Sequence, residues 1–349
     1  MTSESRKPDS LLVTHLPSIR YLTGFSGSAG CALMTPRLNL FFTDFRYRGQ
    51  AIREVKGFDV RIVNGGAMEG CCSYINVRRL KTGVIGYDGD HLTLRQFQLM
   101  KKQLKGLSFL DASGEIEQRR QVKKPVELRR LRRAAAIADL AFARLVRLKV
   151  VGRSEKQVAW LLESAMREAG SGSMPFEIIV ASGPRSALPH GVAGNRIIGT
   201  GELVVVDLGA SFDGYCSDAT RTFASGHLPP RLTEIHRIVQ EAQQLALSGV
   251  RDGVACAEID RLARDHISAA GFGEAFGHSL GHGVGLEPHE APVLSGRSKE
   301  TLKAGMTVTI EPGIYLERLG GVRIEDTVLV GARGAIPLTK FPRELKVLR

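Results

Sequence analysis

Residues 202–223 read ELVVVDLGASFDGYCSDATRTF. The apolar run ending at Val206 has the β-branched composition of a buried strand, Asp213 and Gly214 supply the residues of a tight turn, and the chain then returns as a second strand. Folded back, the segment sets Asp207 and Asp218 opposite or diagonal to each other on neighbouring strands, within reach of one cation. Residues 306–330, MTVTIEPGIYLERLGGVRIEDTVLV, repeat the device: Glu311 ends a strand, Arg318 to Gly321 form the turn region, and Glu325 lies on the return.

Four carboxylates gathered in a mostly apolar sheet repel one another and cannot all stay ionised without compensation. Two divalent cations would neutralise them. The bland alternative is that each acid pairs with a nearby arginine, such as Arg221 or Arg323, on a wet surface. Residues 276–290, FGHSLGHGVGLEPHE, weigh towards metal, because they put His278, His282 and His289 among glycines that allow close backbone approach. The spacing of His278 and His282 would suit a helical metal pair, but Gly281, Gly283 and Gly285 predict a loop or strand. Carboxylate oxygens with one imidazole suit Mn2+, with Co2+ or Zn2+ as alternatives. The G-x-G-x-G pattern lacks the preceding strand and following helix of a dinucleotide loop, and no G-x-S-x-G elbow is present for a serine nucleophile.

Outward from these segments the chain divides. CALMTP, LNLFFTDF, FDVRIV and KTGVIGYDG read as strands of a small α/β domain over residues 1–122, with residues 24–30 as a glycine-rich loop that lacks the G-K-[ST] ending of a phosphate loop. From residue 123 the pattern changes. A 3.6-residue period starts at Pro125, and helices are predicted at VELRRLRRAAAIADLAFARLVRLKV, SEKQVAWLLESAMREAG, LTEIHRIVQEAQQLALSGV and CAEIDRLARDHISAAG. Ser154 is a plausible N-cap of the second and Gly170 its stop. The strands FEIIVAS, ELVVVDLGA, YCSDATRTF, MTVTIEPGIYL and VRIEDTVLVG complete an α+β catalytic domain over residues 123–349.

Composition bounds the function class. With 43% hydrophobic and 24% charged residues, the 349-residue chain has the makeup of a folded protein with room for a sizeable core. No apolar core precedes a small-residue cleavage site at the start, and no eighteen apolar residues run together, so a cytoplasmic location and no membrane partner are expected. Five cysteines without a C-x-x-C spacing argue against a zinc clip or redox pair. The net charge of +12 would attract acidic partners. Much of it lies in Arg119, Arg120, Lys123, Lys124, Arg129, Arg130, Arg132 and Arg133 without interleaved aromatics, which reads as a solvated helix face and not a specific nucleic-acid site.

The ordered set VDLGA, SDATRT, HSLGHGVGLEPHE, TIEPGIY and RIEDT resembles the pita-bread metallopeptidases, the family of prolidase, aminopeptidase P, methionine aminopeptidase and creatinase, and the similarity spans nearly the whole chain. The resemblance implies a pita-bread catalytic domain behind a creatinase-type N-terminal domain. Asp207, Asp218, His282, Glu311 and Glu325 fall on the five metal-ligand positions, with Asp218 and Glu325 bridging two cations. His190 and His289 fall on positions that hold substrate and stabilise the tetrahedral intermediate, and His278 borders the same pocket. The implied chemistry is metal-assisted attack of hydroxide on the scissile carbonyl, with Glu311 handling the water's proton.

Methionine aminopeptidases generally lack such an N-terminal domain, and creatinase does not keep the ligands. That leaves Xaa-Pro aminopeptidase, with Xaa-Pro dipeptidase as the alternative, a proline-containing peptide as substrate, and a homodimer as the expected assembly. Two departures stand out: Val293 where relatives often have Arg, and Arg185 where they often have Asn. A different class, a catalytically inactive pita-bread module that binds protein or nucleic acid, would be expected to have lost ligands; all five are present.

Overall fold

The computed structural model describes residues 7–78 and 83–349, which divide into two compact units, Met1–Arg120 and Gln121–Arg349. The opening hexapeptide, and Lys81 and Thr82 at the start of the fourth expected strand, lie outside the described residues.

The first unit is built on a six-stranded sheet in the order β4-β3-β2-β1-β5-β6. Its elements are β1 (Ser10–Val13), α1 (Leu16–Thr23), β2 (Cys31–Met34), β3 (Asn39–Thr43), α2 (Arg48–Glu54), β4 (Asp59–Ile62), α3 (Ala67–Arg78), β5 (Val84–Tyr87), α4 (Leu94–Gln103), β6 (Ser108–Asp111) and α5 (Glu115–Gln121). The four strands expected from sequence are β2 to β5. β1 and β6 are not among the expected strands. The glycine-rich stretch connects α1 to β2, and Gly24 ends α1 at φ 84°, a left-handed conformation that favours glycine. Cys71 and Cys72 are buried on α3 in the core with Leu12 and Phe42, and burial pushes the Cys72 thiol up to about 12, so it is no nucleophile.

In the second unit α6 (Pro125–Leu145) starts on Pro125, with the Glu127 carboxylate accepting from the Lys124 amide at 2.7 Å. α7 (Glu155–Glu168) opens with a Ser154–Gln157 capping box, a device that stabilises a helix start by about 1 kcal/mol. β7 (Ile179–Ser182), β8 (Leu203–Leu208), β9 (Ser211–Phe212), β10 (Tyr215–Cys216) and β11 (Ala219–Ala224) follow. After α8 (Pro230–Gly249) and α9 (Cys256–Ala269) come β12 (Gly281–Gly283), β13 (Glu290–Leu294), β14 (Thr307–Ile310), β15 (Gly313–Leu316), β16 (Gly320–Arg323), β17 (Asp326–Val330) and β18 (Ala335–Pro337). The strands form sheets β11-β8-β7 and β13-β12-β14-β17-β18, with β9/β10 and β15/β16 as two-stranded ribbons.

Each sheet is held by a pair of helices. Ile137 and Phe142 of α6 and Leu162 of α7 share a core with Val180, Val204 and Val206. Ile235 and Val239 of α8 and Ile259 of α9 do the same with Val308, Ile310 and Val328. Full burial of one such side chain contributes roughly 1.5–3 kcal/mol, enough for these faces to fix the sheet positions.

Three expected strands are divided. YCSDATRTF becomes β10 and β11, MTVTIEPGIYL becomes β14 and β15, and VRIEDTVLVG becomes β16 and β17, each changing partner at the break. The second expected hairpin is therefore two layers: β14 pairs with β17 in the register Ile310↔Asp326, while β15 and β16 form a separate ribbon. Most of the basic run is the expected solvated face, with Arg119, Lys124, Arg129, Arg132 and Arg133 exposed. Arg120 and Lys123 depart from it, the Lys123 side chain being 1% exposed against Glu290. No helix among the described residues is long and apolar enough to cross a membrane.

Candidate metal centre

The breaks in the strands place the acids. Asp207 on β8 pairs in register with Thr220 of β11, which puts Asp218 diagonal to it on the same face. The turn between β9 and β10 runs through Asp213 at φ 48° and Gly214 at φ 78°, the positive pair a tight hairpin needs. Beyond Ile310↔Asp326, Glu311 and Glu325 leave the paired ends of β14 and β17. His282 is the middle residue of β12, a strand and not a helix. Its glycine neighbours answer to crowding: a Cβ on Gly281 would collide with the Thr309 carbonyl, and one on Gly283 with that of Ala291. All eight residues singled out in the sequence, Asp207, Asp218, His282, Glu311, Glu325, His190, His278 and His289, line one cavity of about 370 Å³ together with Phe176, Ile179, Val192 and Arg323.

Ligand atoms of Asp207, Asp218 and Glu325 lie within 4.8 Å of one another, as do those of His282, Glu311 and Glu325, and those of Asp218, His282 and His289. Glu325 thus belongs to both acid-rich groups. The His282 Nδ1 faces the Gly283 carbonyl at 3.1 Å, and its Nε2 lies 3.1 Å from Glu311 Oε1 and 3.8 Å from Asp218 Oδ2, where loss of the Nε2 proton would free a lone pair for a cation while Nδ1–H stays on the carbonyl.

The electrostatics show a deficit of positive charge. Burial, then repulsion from Glu325, Asp207 and Glu311, holds the Asp218 carboxyl well above its usual range, and burial with repulsion from Glu311 and Asp207 does the same to Glu325. Burial also raises Asp207, although Arg323 opposes the shift. Burial would raise Glu311 as well, but its hydrogen bond with His282 and the charges of His282, Arg323 and His278 together outweigh that and keep it lowered. Asp207 Oδ1 is buried without a hydrogen-bond partner among the described residues, and a buried acceptor left unsatisfied costs free energy. A carboxylate-rich donor set with one imidazole, one orphaned oxygen, and carboxyls on Asp207, Asp218 and Glu325 that burial and neighbouring acids push up fits hard or borderline divalent cations, whose binding favours the ionised acids.

Three further side chains complete the centre. Arg323, which the bland alternative places on a wet surface, is 4% exposed. It donates to Asp207 Oδ2 at 2.7 Å, to the Tyr315 hydroxyl at 3.0 Å and to the Pro189 carbonyl at 3.0 Å. Thr220 donates to Glu325 Oε2 at 2.7 Å, and Thr309 to Glu311 Oε1 at 3.1 Å. Neither threonine stands out in the sequence. The pairs 218/220, 309/311 and 323/325 are each two apart, so the period of a strand puts both members on one face and was the available signal. His278 is tied through Nε2 to the Tyr315 hydroxyl at 2.9 Å. His289 tilts against His282 with ring centroids 4.2 Å apart, and His190 lines the cavity from the segment after β7, where it is exposed.

Two family descriptions match the chain: metallopeptidase family M24 over residues 129–332 and the creatinase/prolidase N-terminal domain over residues 3–122. The structure is similar to that of an Xaa-Pro dipeptidase from Bacillus anthracis, with a TM-score of 0.94 and 43% identity over 98% of this chain and 95% of that one. It is also similar to an X-Pro aminopeptidase from Thermotoga maritima, with a TM-score of 0.90 and 37% identity over 98% of both chains. In sequence, an Xaa-Pro dipeptidase from Pyrococcus horikoshii is 37% identical over 97% of this chain and 94% of its own.

Proposed function

Because the chain belongs to metallopeptidase family M24, we propose that it is an Xaa-Pro aminopeptidase, hydrolysing the bond before proline with two divalent cations held by Asp207, Asp218, His282, Glu311 and Glu325. The observation that carries this reading is the convergence of four acids and one imidazole on a single cavity with too little positive charge to balance them. Cations bound there supply Lewis-acid polarisation of the scissile carbonyl and make water acidic enough to ionise near neutral pH.

The remaining work falls to the chain's own groups. Glu311 takes the proton of the attacking water and passes it to the leaving amine, a role that suits a carboxylate lining the cavity. His190 and His289 donate to the carbonyl oxygen and to the charge that develops on it. Thr220 and Thr309 orient Glu325 and Glu311, and Arg323 fixes Asp207, so that the carboxylates are held in place at the cavity. Phe176, Ile179 and Val192 give the cavity an apolar wall fit for a proline ring.

A dipeptide would bring its free carboxylate into this cavity. Apart from histidine, the lining cation is Arg323, already committed to Asp207, and Val293, opposite His282 in register, adds no charge. This favours longer peptides. The name of the B. anthracis structure favours the dipeptidase alternative. An assay of Mn2+-loaded protein on an Xaa-Pro dipeptide and an Xaa-Pro tripeptide side by side separates them. Cleavage of the tripeptide is expected, cleavage of the dipeptide alone would establish the dipeptidase, and cleavage of neither would overturn the reading.

Mn2+ as the working ion, a homodimer and a cytoplasmic location belong to the same proposal. So does the division into an N-terminal domain, residues 1–122, and a catalytic domain, residues 123–349, which the two family matches and the two compact units support.

A further inference from the structure

Lys123 stands at the head of the second unit, where a bridge between Val122 and Met306 and the hydrogen bond from the Lys123 amide to the Gly305 carbonyl, at 2.8 Å, fix its backbone before α6 begins. Its ammonium reaches Glu290 Oε1 at 2.5 Å, with the two side chains 1% and 7% exposed. Glu290 opens β13 and pairs with Gly283 of β12. Its carboxylate lies over Gly285, where a Cβ would collide with Glu290 Oε1.

His289 is the residue immediately before Glu290. Its own ring contact is the tilted approach to His282, and no hydrogen bond from its ring to another described residue accompanies it. Its aim therefore depends on where the backbone at Glu290 is held. A buried ion pair adds little net stability over an apolar pair of the same volume, so the pair's consequence is where it puts the chain and not how firmly it folds.

The geometry points to Lys123 as a positioning residue for His289, acting through Glu290: the buried ammonium pins the start of β13 and so sets the imidazole against the reacting carbonyl. The inference rests on the reading of His289 as a substrate-contacting group. A side chain displaced by about 1 Å can cost up to about 100-fold in rate.

The test is a double-mutant cycle of Lys123→Met and His289→Ala, measured on an Xaa-Pro peptide at saturating Mn2+, with metal content and unfolding temperature recorded for each protein. Lys123→Met is expected to lower kcat by about 10- to 100-fold with bound metal unchanged. In the His289→Ala background the same change is expected to alter kcat by less than about twofold, because the group it positions is gone. An equal loss in both backgrounds would overturn the inference, as would a parental kcat for Lys123→Met. Should Lys123→Met fail to fold, the pair Lys123→Met with Glu290→Leu removes both buried charges and is held to the same two outcomes. A parental rate for His289→Ala alone would instead overturn the reading of His289 itself, and the inference with it.

Discussion

Glu325→Gln is expected to lose at least about 1000-fold in turnover, equivalent to about 4 kcal/mol of transition-state stabilisation, while its cation-free form unfolds no earlier than the parent. The two halves follow from one fact. Glu325 is 2% exposed, and burial with repulsion from Glu311 and Asp207 holds its carboxyl far above the usual range. Without cations it is a liability that an amide of the same shape relieves, while an amide oxygen can still accept from Thr220. With cations it belongs to both acid-rich groups of the centre, so its loss weakens both sites. Parent protein saturated with Mn2+ at about 100 times Kd should gain about 2.7 kcal/mol, or roughly 5–10 °C in unfolding temperature, and the variant should gain clearly less. Parental turnover in Glu325→Gln, or an undiminished thermal response to Mn2+, would remove Glu325 from the centre.

The next residue should behave in the opposite way. Asp326→Ala is expected to destabilise the fold by about 3–5 kcal/mol, a fall on the order of 10 °C, with or without cations. Asp326 is fully buried and accepts from Arg221 Nη2 at 2.7 Å, Arg343 Nε at 2.5 Å, Gln243 Nε2 at 2.7 Å and Thr339 Oγ1 at 2.7 Å. Burial alone would raise its carboxyl, but the two arginines outweigh that and hold it below its usual value. Its contribution is therefore complete above the ordinary aspartate range and is lost as pH falls through the lowered native value. Removal strands Arg221, 2% exposed, which also donates to the Thr220 and Glu325 carbonyls and so clamps the backbone beneath the centre. Thermal unfolding of Asp326→Ala within about 2 °C of the parent would contradict this assignment.

Glu325 and Asp326 show what the sequence could and could not reveal. As letters they are two adjacent acids in VRIEDTVLV. In space one has four protein donors and the other mainly other acids, a difference set by Arg221 on β11 and Arg343 near the C-terminus, both remote along the chain. The apolar runs and their turns were legible, because the hydrophobic period and the Asp213–Gly214 turn are local properties. So were the candidate ligands, since acids at the ends of apolar strands beside a glycine-histidine segment have a chemical use as a cation cage and little use as packing. The breaks at Asp218, Glu311 and Glu325 were not legible, because the apolar pattern runs on through each while the ladder changes partner. Nor was the fate of Lys123, which reads as one more base in a basic run until Glu290, 167 positions away, is seen beside it.

The cavity lined by Asp207, Asp218, His282, Glu311 and Glu325 is held to be completed by two divalent cations, and the rest of the chemistry depends on it. Crystals of the protein grown or soaked with Mn2+ and measured at the manganese absorption edge test this most directly. Two anomalous peaks are expected inside that cavity, with Asp218 and Glu325 touching both. A cavity without peaks at saturating Mn2+, or peaks held by other side chains, would contradict it.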